Sequence, residues 1–269
     1  MALEPPSRSA FDFLVRVALS YASLLDAPGA HPETGLGGKL FYAGELDEAG
    51  RALLVAANIA GAATLATTAD RAAQKQALRE GVADFVVNNL DEALRILKNQ
   101  LRKRETVSVC VALPPSDVER EMNERGVSPD LLRRDVPVAP FHAALMQNGE
   151  SPIVQQNAAT GADPGKPPAL VTWRVDSALP KELAQLDEIA LACLDSEEWK
   201  SRRWLRFAPR YLGRMAHGLR LLDSNCEFAA RFIARVRQSA ERSEIKSAVE
   251  IVVYFNGQQD QIRIAPTKP

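Results

Sequence analysis

The first half of this 269-residue chain predicts a doubly wound α/β fold with a parallel sheet, and the second half an α-helical extension that ends in a β-hairpin. Three observations support this prediction. Short apolar strands alternate with helical segments long enough to connect parallel strands. The strands are apolar on both faces, as strands covered by two helical layers are. Near the C-terminus, two alternating runs flank Asn256-Gly257, which is a typical hairpin turn.

The elements of the first half follow from hydrophobic spacing and capping residues. Apolar residues at helical spacing predict an amphipathic helix from Ser9 to Leu25, with Ser9 as its N-cap. The predicted strands are Lys39–Ala43, Ala62–Thr67, Ala83–Val87 and Val107–Val111. The predicted helices that follow them are Asp47–Ala60, Asp70–Arg79, Leu90–Arg104 and Ser116–Glu124. Right-handed crossovers of this kind place helices on both faces of the sheet.

The regular alternation ends near Asp130, and six prolines between residues 136 and 168 predict a loop-rich connection. We therefore expect a first domain at 1–135, a connection at 136–168 and a C-terminal region at 169–269. The predicted elements of that region are one further strand, four helices and the hairpin. These are Ala169–Arg174; Lys181–Leu194, Glu197–Arg206, Arg210–Leu222 and Glu227–Ala240; and Ala248–Phe255 with Asp260–Ile264.

Composition excludes several classes of function. The formal charge of −1 offers no global attraction to nucleic acid or to an anionic membrane. Three cysteines without CxxC spacing indicate a reducing compartment, with no disulfide framework and no zinc site, so a cytoplasmic protein is expected. Neither a signal peptide nor a membrane-spanning segment is predicted.

Residues Gly38 to Asp130 resemble the central Rossmann-like, NAD-binding domain of urocanase (urocanate hydratase). The similarity keeps its order and spacing from Ala60 to Asp130 without a gap and covers about a third of the chain. It is carried by Gly38-Lys39, Ala43-Gly44, Ala60-Gly61-Ala62, Ala83-Asp84, Leu90-Asp91-Glu92-Ala93-Leu94, Val107-Ser108-Val109, Arg125-Gly126-Val127 and Pro129-Asp130. The resemblance implies a Rossmann-like fold, an NAD cofactor, a hydro-lyase activity on urocanate or a related imidazole acid, and a homodimer.

The segment from Gly44 to Asn58 departs from the pattern that this resemblance implies. A dinucleotide-binding fold places a G-x-G-x-x-G loop after its first strand, so that the backbone can approach a pyrophosphate. Only Gly44 and Gly50 remain here, and Asp47 and Glu48 would repel phosphates while satisfying the helix dipole. Thr68 stands where a ribose-binding acid is expected, with Asp70 as an imperfect substitute. Ala112 to Pro115 replace a polar loop of the family.

The candidate ligand crevice lies at the carboxyl ends of the strands. Its candidate cofactor-binding or ligand-binding residues are Gly44, Glu45, Gly50, Thr67, Thr68, Asp70, Asn88 and Asn89, with Ala112 as a further lining residue. We expect this crevice to be remodelled for a different small ligand, or to serve as a scaffold, and we expect no cofactor. The alternative is an NAD-binding hydratase. No catalytic residue is assigned, because Cys226 lacks the sequence context of the family's cysteine.

A second candidate site is the basic run from Lys200 to Arg220, which contains no acidic residue and is interleaved with aromatic residues. Arginines and aromatics together are typical of surfaces that bind anions or single-stranded nucleic acid. The candidate anion-binding residues are Arg202, Arg203, Arg206 and Arg210. The simpler interpretation is a solvated helical face paired with nearby acids, and duplex DNA is disfavoured by the overall charge.

Two other features predict no site. Gly35 to Lys39 is glycine-rich, but it precedes its strand and has Leu40 where a phosphate loop needs Ser or Thr, so a connector is expected. The three histidines, His31, His142 and His217, are widely separated, and no metal site is predicted.

Overall fold

The computed structural model describes residues 8–133, 168–175, 180–212, 216, 218–255 and 258–266. The chain divides into two compact units, one of residues 15–137 and 210–215, the other of residues 1–14, 138–209 and 216–269. The described helices are α1 (Arg8–Leu25), α2 (Glu48–Ala60), α3 (Arg71–Glu80), α4 (Leu90–Lys103), α5 (Pro115–Glu124), α6 (Pro180–Cys193), α7 (Trp199–Leu212) and α8 (Cys226–Glu241). The described strands are β1 (Leu40–Glu45), β2 (Ala63–Thr67), β3 (Phe85–Val87), β4 (Ser108–Val111), β5 (Leu131–Leu132), β6 (Pro168–Val175), β7 (Arg220–Asn225), β8 (Val249–Phe255) and β9 (Gln258–Ile264).

The unit that contains β1 to β5 is a parallel sheet of order β3-β4-β2-β1-β5, which confirms the doubly wound α/β fold. The chain moves from β1 through β2 to the edge strand β3, then returns to β4 and crosses to β5. With right-handed crossovers, this reversal places α2 and α3 on one face and α4 and α5 on the other. All four predicted strands are present, and β5 is an additional strand of only two residues.

Hydrophobic packing holds α4 and α5 on one face of the parallel sheet. Leu65 and Val109 are buried on the neighbouring strands β2 and β4, and they belong to one core cluster with Leu97 of α4 and Met122 of α5. Burying a large aliphatic side chain contributes about 1.5–3 kcal/mol. The face is therefore held by several side chains that are withdrawn from water almost completely.

On the other face of the sheet, a buried polar cluster joins α2 to β2 and β4. Thr64 and Ser108 alternate with the core residues of their strands, and their hydroxyl oxygens lie 2.8 Å apart. The Asn58 side chain on α2 donates to Ser108 Oγ. These buried groups satisfy one another, so α2 is fixed in register on β2 and β4 without an unpaired polar atom in this trio.

The other unit contains an antiparallel sheet of order β7-β6-β8-β9. Trp173 of β6 packs against Phe232 of α8, with ring centroids 4.9 Å apart, and its indole N–H donates to Asp187 of α6. The predicted hairpin is confirmed in its two strands, β8 and β9, while Asn256-Gly257 lies outside the described residues. Strand β6 confirms the predicted strand at Ala169–Arg174.

The helix predicted over Arg210–Leu222 is wrong. Helix α7 runs through Pro209 to Leu212, and β7 begins at Arg220. Pro209 lies inside α7, where it lacks the backbone donor of one position without ending the helix. Residues 220–225 instead pair with β6, because a strand there buries Leu221 and Leu222 in the sheet. The predicted domain bounds stay a prediction. The predicted connection at 136–168 lies outside the described residues, except for Pro168, which begins β6.

Candidate functional site

The candidate crevice residues lie in a row along the carboxyl edge of the parallel sheet. The edge runs from Asn88 after β3, through Ala112 and Thr68 after β4 and β2, to Glu45 of β1 and Arg133 after β5. Backbone hydrogen bonds join the row, since Thr68 N donates to Val111 O (3.1 Å) and Ala112 N donates to Val87 O (2.8 Å). Adjacent strands are about 4.8 Å apart, so Asn88 and Glu45, three strands from each other, are separated by about 14 Å along the edge.

Gly44 shapes the end of β1. The pairing with β2 shifts between Tyr42 and Gly44, which leaves Ala43 as an extra residue in β1. Gly44 adopts a left-handed conformation with φ of 68°, which glycine adopts at little cost. A bulge of this kind re-aims the residues that follow it, here Glu45 and Leu46.

Gly50 lets the first turn of α2 lie directly against β1. A Cβ atom at this position would lie 2.2 Å from the Glu45 carbonyl oxygen, closer than real contacts allow. In a dinucleotide-binding fingerprint, the third glycine has this helix-packing role and the first provides the tight turn. Gly44 and Gly50 therefore keep the two structural roles, and the glycine that would admit a pyrophosphate is absent.

The carboxylate of Asp47 occupies the N-terminus of α2. Its Oδ1 accepts the Gly50 N–H at 2.7 Å, and its Oδ2 accepts from Arg133 Nη2 at 3.0 Å. Partial burial raises the pKa of Asp47, but the hydrogen bonds from Arg133 and from the Gly50 N–H outweigh it and hold the pKa below its ordinary value. The helix terminus thus binds an anion that the protein itself supplies.

The threonines at the end of β2 and Asp70 are engaged in local structure. Thr67 Oγ1 donates to Gly44 O (3.3 Å), and Thr68 Oγ1 accepts from the Asp70 N–H (3.3 Å). Asp70 is the N-cap of α3, and its Oδ1 accepts the Ala72 N–H at 2.8 Å. The acid that could substitute for a ribose-binding residue therefore caps a helix.

The two asparagines after β3 begin α4. Asn89 is its N-cap and accepts the Glu92 N–H at 2.9 Å, while Glu92 Oε2 accepts the Asn88 N–H at 3.2 Å. This is a variant of the capping box, with the reciprocal bond made one residue earlier. Both asparagines are exposed. The Asn89 side chain caps α4, whereas the Asn88 side chain has no capping role.

Three residues with long-range side-chain contacts, Arg133, Tyr42 and Glu119, were not predicted as site residues from the sequence. Arg133 follows β5, a strand too short to give a periodic signal, and it contacts Asp47 across 86 positions of sequence. Tyr42 donates to Glu119 Oε1 at 3.1 Å, and burial, together with the Glu119 charge, raises the pKa of Tyr42 well above its usual range. The spacing of a single sequence contains no signal for such long-range pairs.

The described residues offer neither an activated thiol nor a metal cluster at this edge. Burial, with a smaller contribution from the Glu45 charge, raises the pKa of the fully buried Cys110 to about 12. No group of three or more His, Cys, Asp or Glu residues in the described part of the chain could hold a metal. His31 accepts the Glu33 N–H at 3.3 Å, and His142 and His217 lie outside the described residues.

A comparison against protein-family models agrees with the fold of the parallel sheet. Residues 18–145 match the urocanase Rossmann-like domain. These residues form a urocanase-like domain. The match covers just under half of the chain and confirms the predicted resemblance over the parallel sheet. Within the described residues, no helix is both long and apolar enough to cross a membrane.

The residues of this urocanase-like domain do not fit the NAD cofactor that the family implies. The N–H of Gly50 at the first turn of α2 is bound to the Asp47 carboxylate, and Arg133 is bound to the same group. A phosphate would have to displace a carboxylate that is bonded on both sides.

The four candidate anion-binding arginines of α7 have different surroundings. Arg202 Nη1 donates to the Leu191 and Leu194 carbonyls, both at 3.0 Å, and so caps the end of α6. Arg203 lies over the Phe207 ring at 4.6 Å, and Arg206 and Arg210 are exposed. At the end of the same run, Arg220 forms an ion pair with Asp187 at 2.8 Å. Anion binding by α7 stays a prediction that depends on Arg203, Arg206 and Arg210.

Proposed function

We propose that the urocanase-like domain keeps the Rossmann-like scaffold but is not a competent NAD-dependent urocanate hydratase. The observation that carries the proposal is the Asp47 carboxylate, bound at the N-terminus of α2 and paired with Arg133. It stands where the fold would hold a pyrophosphate. The crevice then serves a different small ligand, or the domain serves as a scaffold.

Electrostatic repulsion between the Asp47 carboxylate and a phosphate supports this proposal. Two like unit charges 4 Å apart repel by about 1 kcal/mol in bulk water and about 4 kcal/mol near a protein surface. Asp47 is half exposed, with 48% of its side chain accessible, so the repulsion from its carboxylate alone lies between these limits, and the paired Arg133 charge reduces the net cost. Since 1.4 kcal/mol changes affinity tenfold, the Asp47 carboxylate alone would weaken dinucleotide binding between about fivefold and about a thousandfold, and the paired Arg133 makes the loss smaller.

The same edge favours a neutral or cationic small molecule. Glu45, Asp47 and Glu119 contribute carboxylates, and Arg133 compensates for one of them. Exposed Asn88 adds an amide that can both donate and accept hydrogen bonds. These groups can orient a polar ligand, but none of them provides an activated nucleophile.

The alternative is that the chain binds NAD and acts as a hydratase on urocanate or a related imidazole acid. The family match favours it, because the fold that holds the cofactor in urocanase is present. Thermal unfolding with NAD separates the two proposals. A ligand at one hundred times its Kd stabilises by about 2.7 kcal/mol, which raises Tm by about 5–10 °C for a domain of this size.

We expect NAD at millimolar concentration to leave the Tm of the wild-type protein unchanged. Asp47→Asn keeps an N-cap side chain but removes the charge and frees Arg133, so NAD should bind this variant more tightly than the wild type. Asp130→Asn is the matched control, because it removes a carboxylate that also accepts from a backbone N–H and a basic side chain, but at the start of β1, away from the carboxyl edge. A Tm increase of several degrees for the wild type, together with turnover of urocanate, would instead support the hydratase.

A further inference from the structure

The unit with the antiparallel sheet contains an open groove of about 750 Å³ between the end of α6 and one side of α8. Helix α8 buries Phe228, Phe232 and Val236, which fixes the opposite side of the helix toward the groove. The polar residues that line the groove are Cys193, Asp195, Arg231, Arg235, Arg237 and Glu241. Three guanidinium groups thus face two carboxylates in one concave surface.

Arg231 has an unused hydrogen-bonding edge. Its Nη1 lies 3.4 Å from Asp195 Oδ1 and 3.9 Å from Glu227 Oε1, which are long ion-pair distances. Its Nε and Nη2 atoms are shielded from solvent, and neither donates a hydrogen bond to any described residue. A shielded donor without a partner costs about 1–3 kcal/mol. Nε and Nη2 form one edge of the planar guanidinium, the fork that matches two oxygens of a carboxylate or phosphate.

Arg235 provides a second positive charge one helical turn from Arg231, on the same side of α8. Arg235 and Arg237 are exposed, and neither forms an ion pair with the part of the chain that the structure describes. Burial raises the pKa of the Cys193 thiol, while the charges of Arg235 and Arg231 oppose that rise. Both guanidinium groups are therefore close enough to act on the inner wall of the groove.

We propose that this groove binds a small oxyanion, a phosphate or a carboxylate, through Arg231 and Arg235. Binding through the fork requires rotation about the terminal bonds of Arg231, whose side chain is 37% exposed. The movement gives up only the long contacts to Asp195 and Glu227, and exposed pairs of this kind contribute at most about 1 kcal/mol. Cys193 is 5% exposed with a raised pKa, so the site binds its ligand without covalent chemistry.

Calorimetric titration of the full chain with inorganic phosphate, and separately with malonate, tests the proposal. We expect saturable binding of at least one of the two probes, and a loss of about tenfold or more in affinity for Arg235→Gln. Arg231→Lys keeps the charge but removes the fork, so it should also weaken binding. Arg95→Gln, an exposed arginine on α4, is the matched control and should bind like the wild type. Circular dichroism confirms that each variant is folded.

The outcome also distinguishes the source of the oxyanion. Binding of phosphate alone assigns the groove to phosphorylated ligands, binding of malonate alone assigns it to carboxylates, and binding of both supports the shared oxyanion chemistry. Absence of saturable binding for both probes overturns the proposal. Binding that Arg235→Gln leaves unchanged, or that Arg95→Gln weakens equally, also overturns it, because the anion would then bind elsewhere.

Discussion

Replacing Gly50 with alanine tests the packing that closes the phosphate position, because two physical effects predict opposite signs. Helix propensity alone favours alanine over glycine inside a helix by about 0.5–1 kcal/mol. The structure places a new Cβ atom 2.2 Å from the Glu45 carbonyl oxygen, so the first turn of α2 must move away from β1. Inserting a methyl group into a packed site costs about 1–3 kcal/mol.

The steric cost is the larger effect, so we expect Gly50→Ala to lower the free energy of unfolding by about 0.5–2 kcal/mol. Urea unfolding followed by circular dichroism measures it, with comparison of midpoints at constant m. Ala49→Gly in the same turn is the control, and it should destabilise through propensity alone, by about 0.5–1 kcal/mol. A Gly50→Ala variant that is as stable as the wild type, or more stable, would refute the close approach of α2 to β1.

Two further predictions concern charge. Partial burial raises the pKa of Asp130, but the Leu40 N–H and the Lys39 ammonium outweigh it and hold the pKa below its ordinary value of 3.8. The contribution of Asp130 to stability is therefore present above about pH 4 and is lost as the pH falls through its folded-state pKa. Asp130→Asn should remove this part of the pH dependence of the free energy of unfolding. A variant with the same pH dependence as the wild type would contradict the role of Asp130. For α7, Arg206→Gln combined with Arg210→Gln should reduce the salt concentration needed to elute the protein from heparin; equal elution would count against anion binding by this helix.

The local signals of the sequence were sufficient for four of the five strands of the parallel sheet and for the helices between them. Asp47, Asp70 and Asn89 were read at or beside helix starts, and the structure shows all three as N-caps. Such signals act within one helical turn, so neighbouring residues contain them completely. The same locality explains the two omissions in the fold. Strand β5 has two residues, and β7 is stabilised by pairing with β6, which is distant in sequence.

The sequence by itself determined that this chain has a urocanase-like α/β domain and that its phosphate loop lacks the middle glycine. Only the tertiary structure decided which groups lie at the position where a pyrophosphate would bind. The Asp47–Arg133 pair joins residues 86 positions apart, and it exists because β5 lies beside β1 in the sheet. Hydrophobic periodicity specifies which faces of strands and helices are buried, but it does not specify strand order. The charges that meet at the carboxyl edge depend on that order, and the ligand that the crevice can accept depends on those charges.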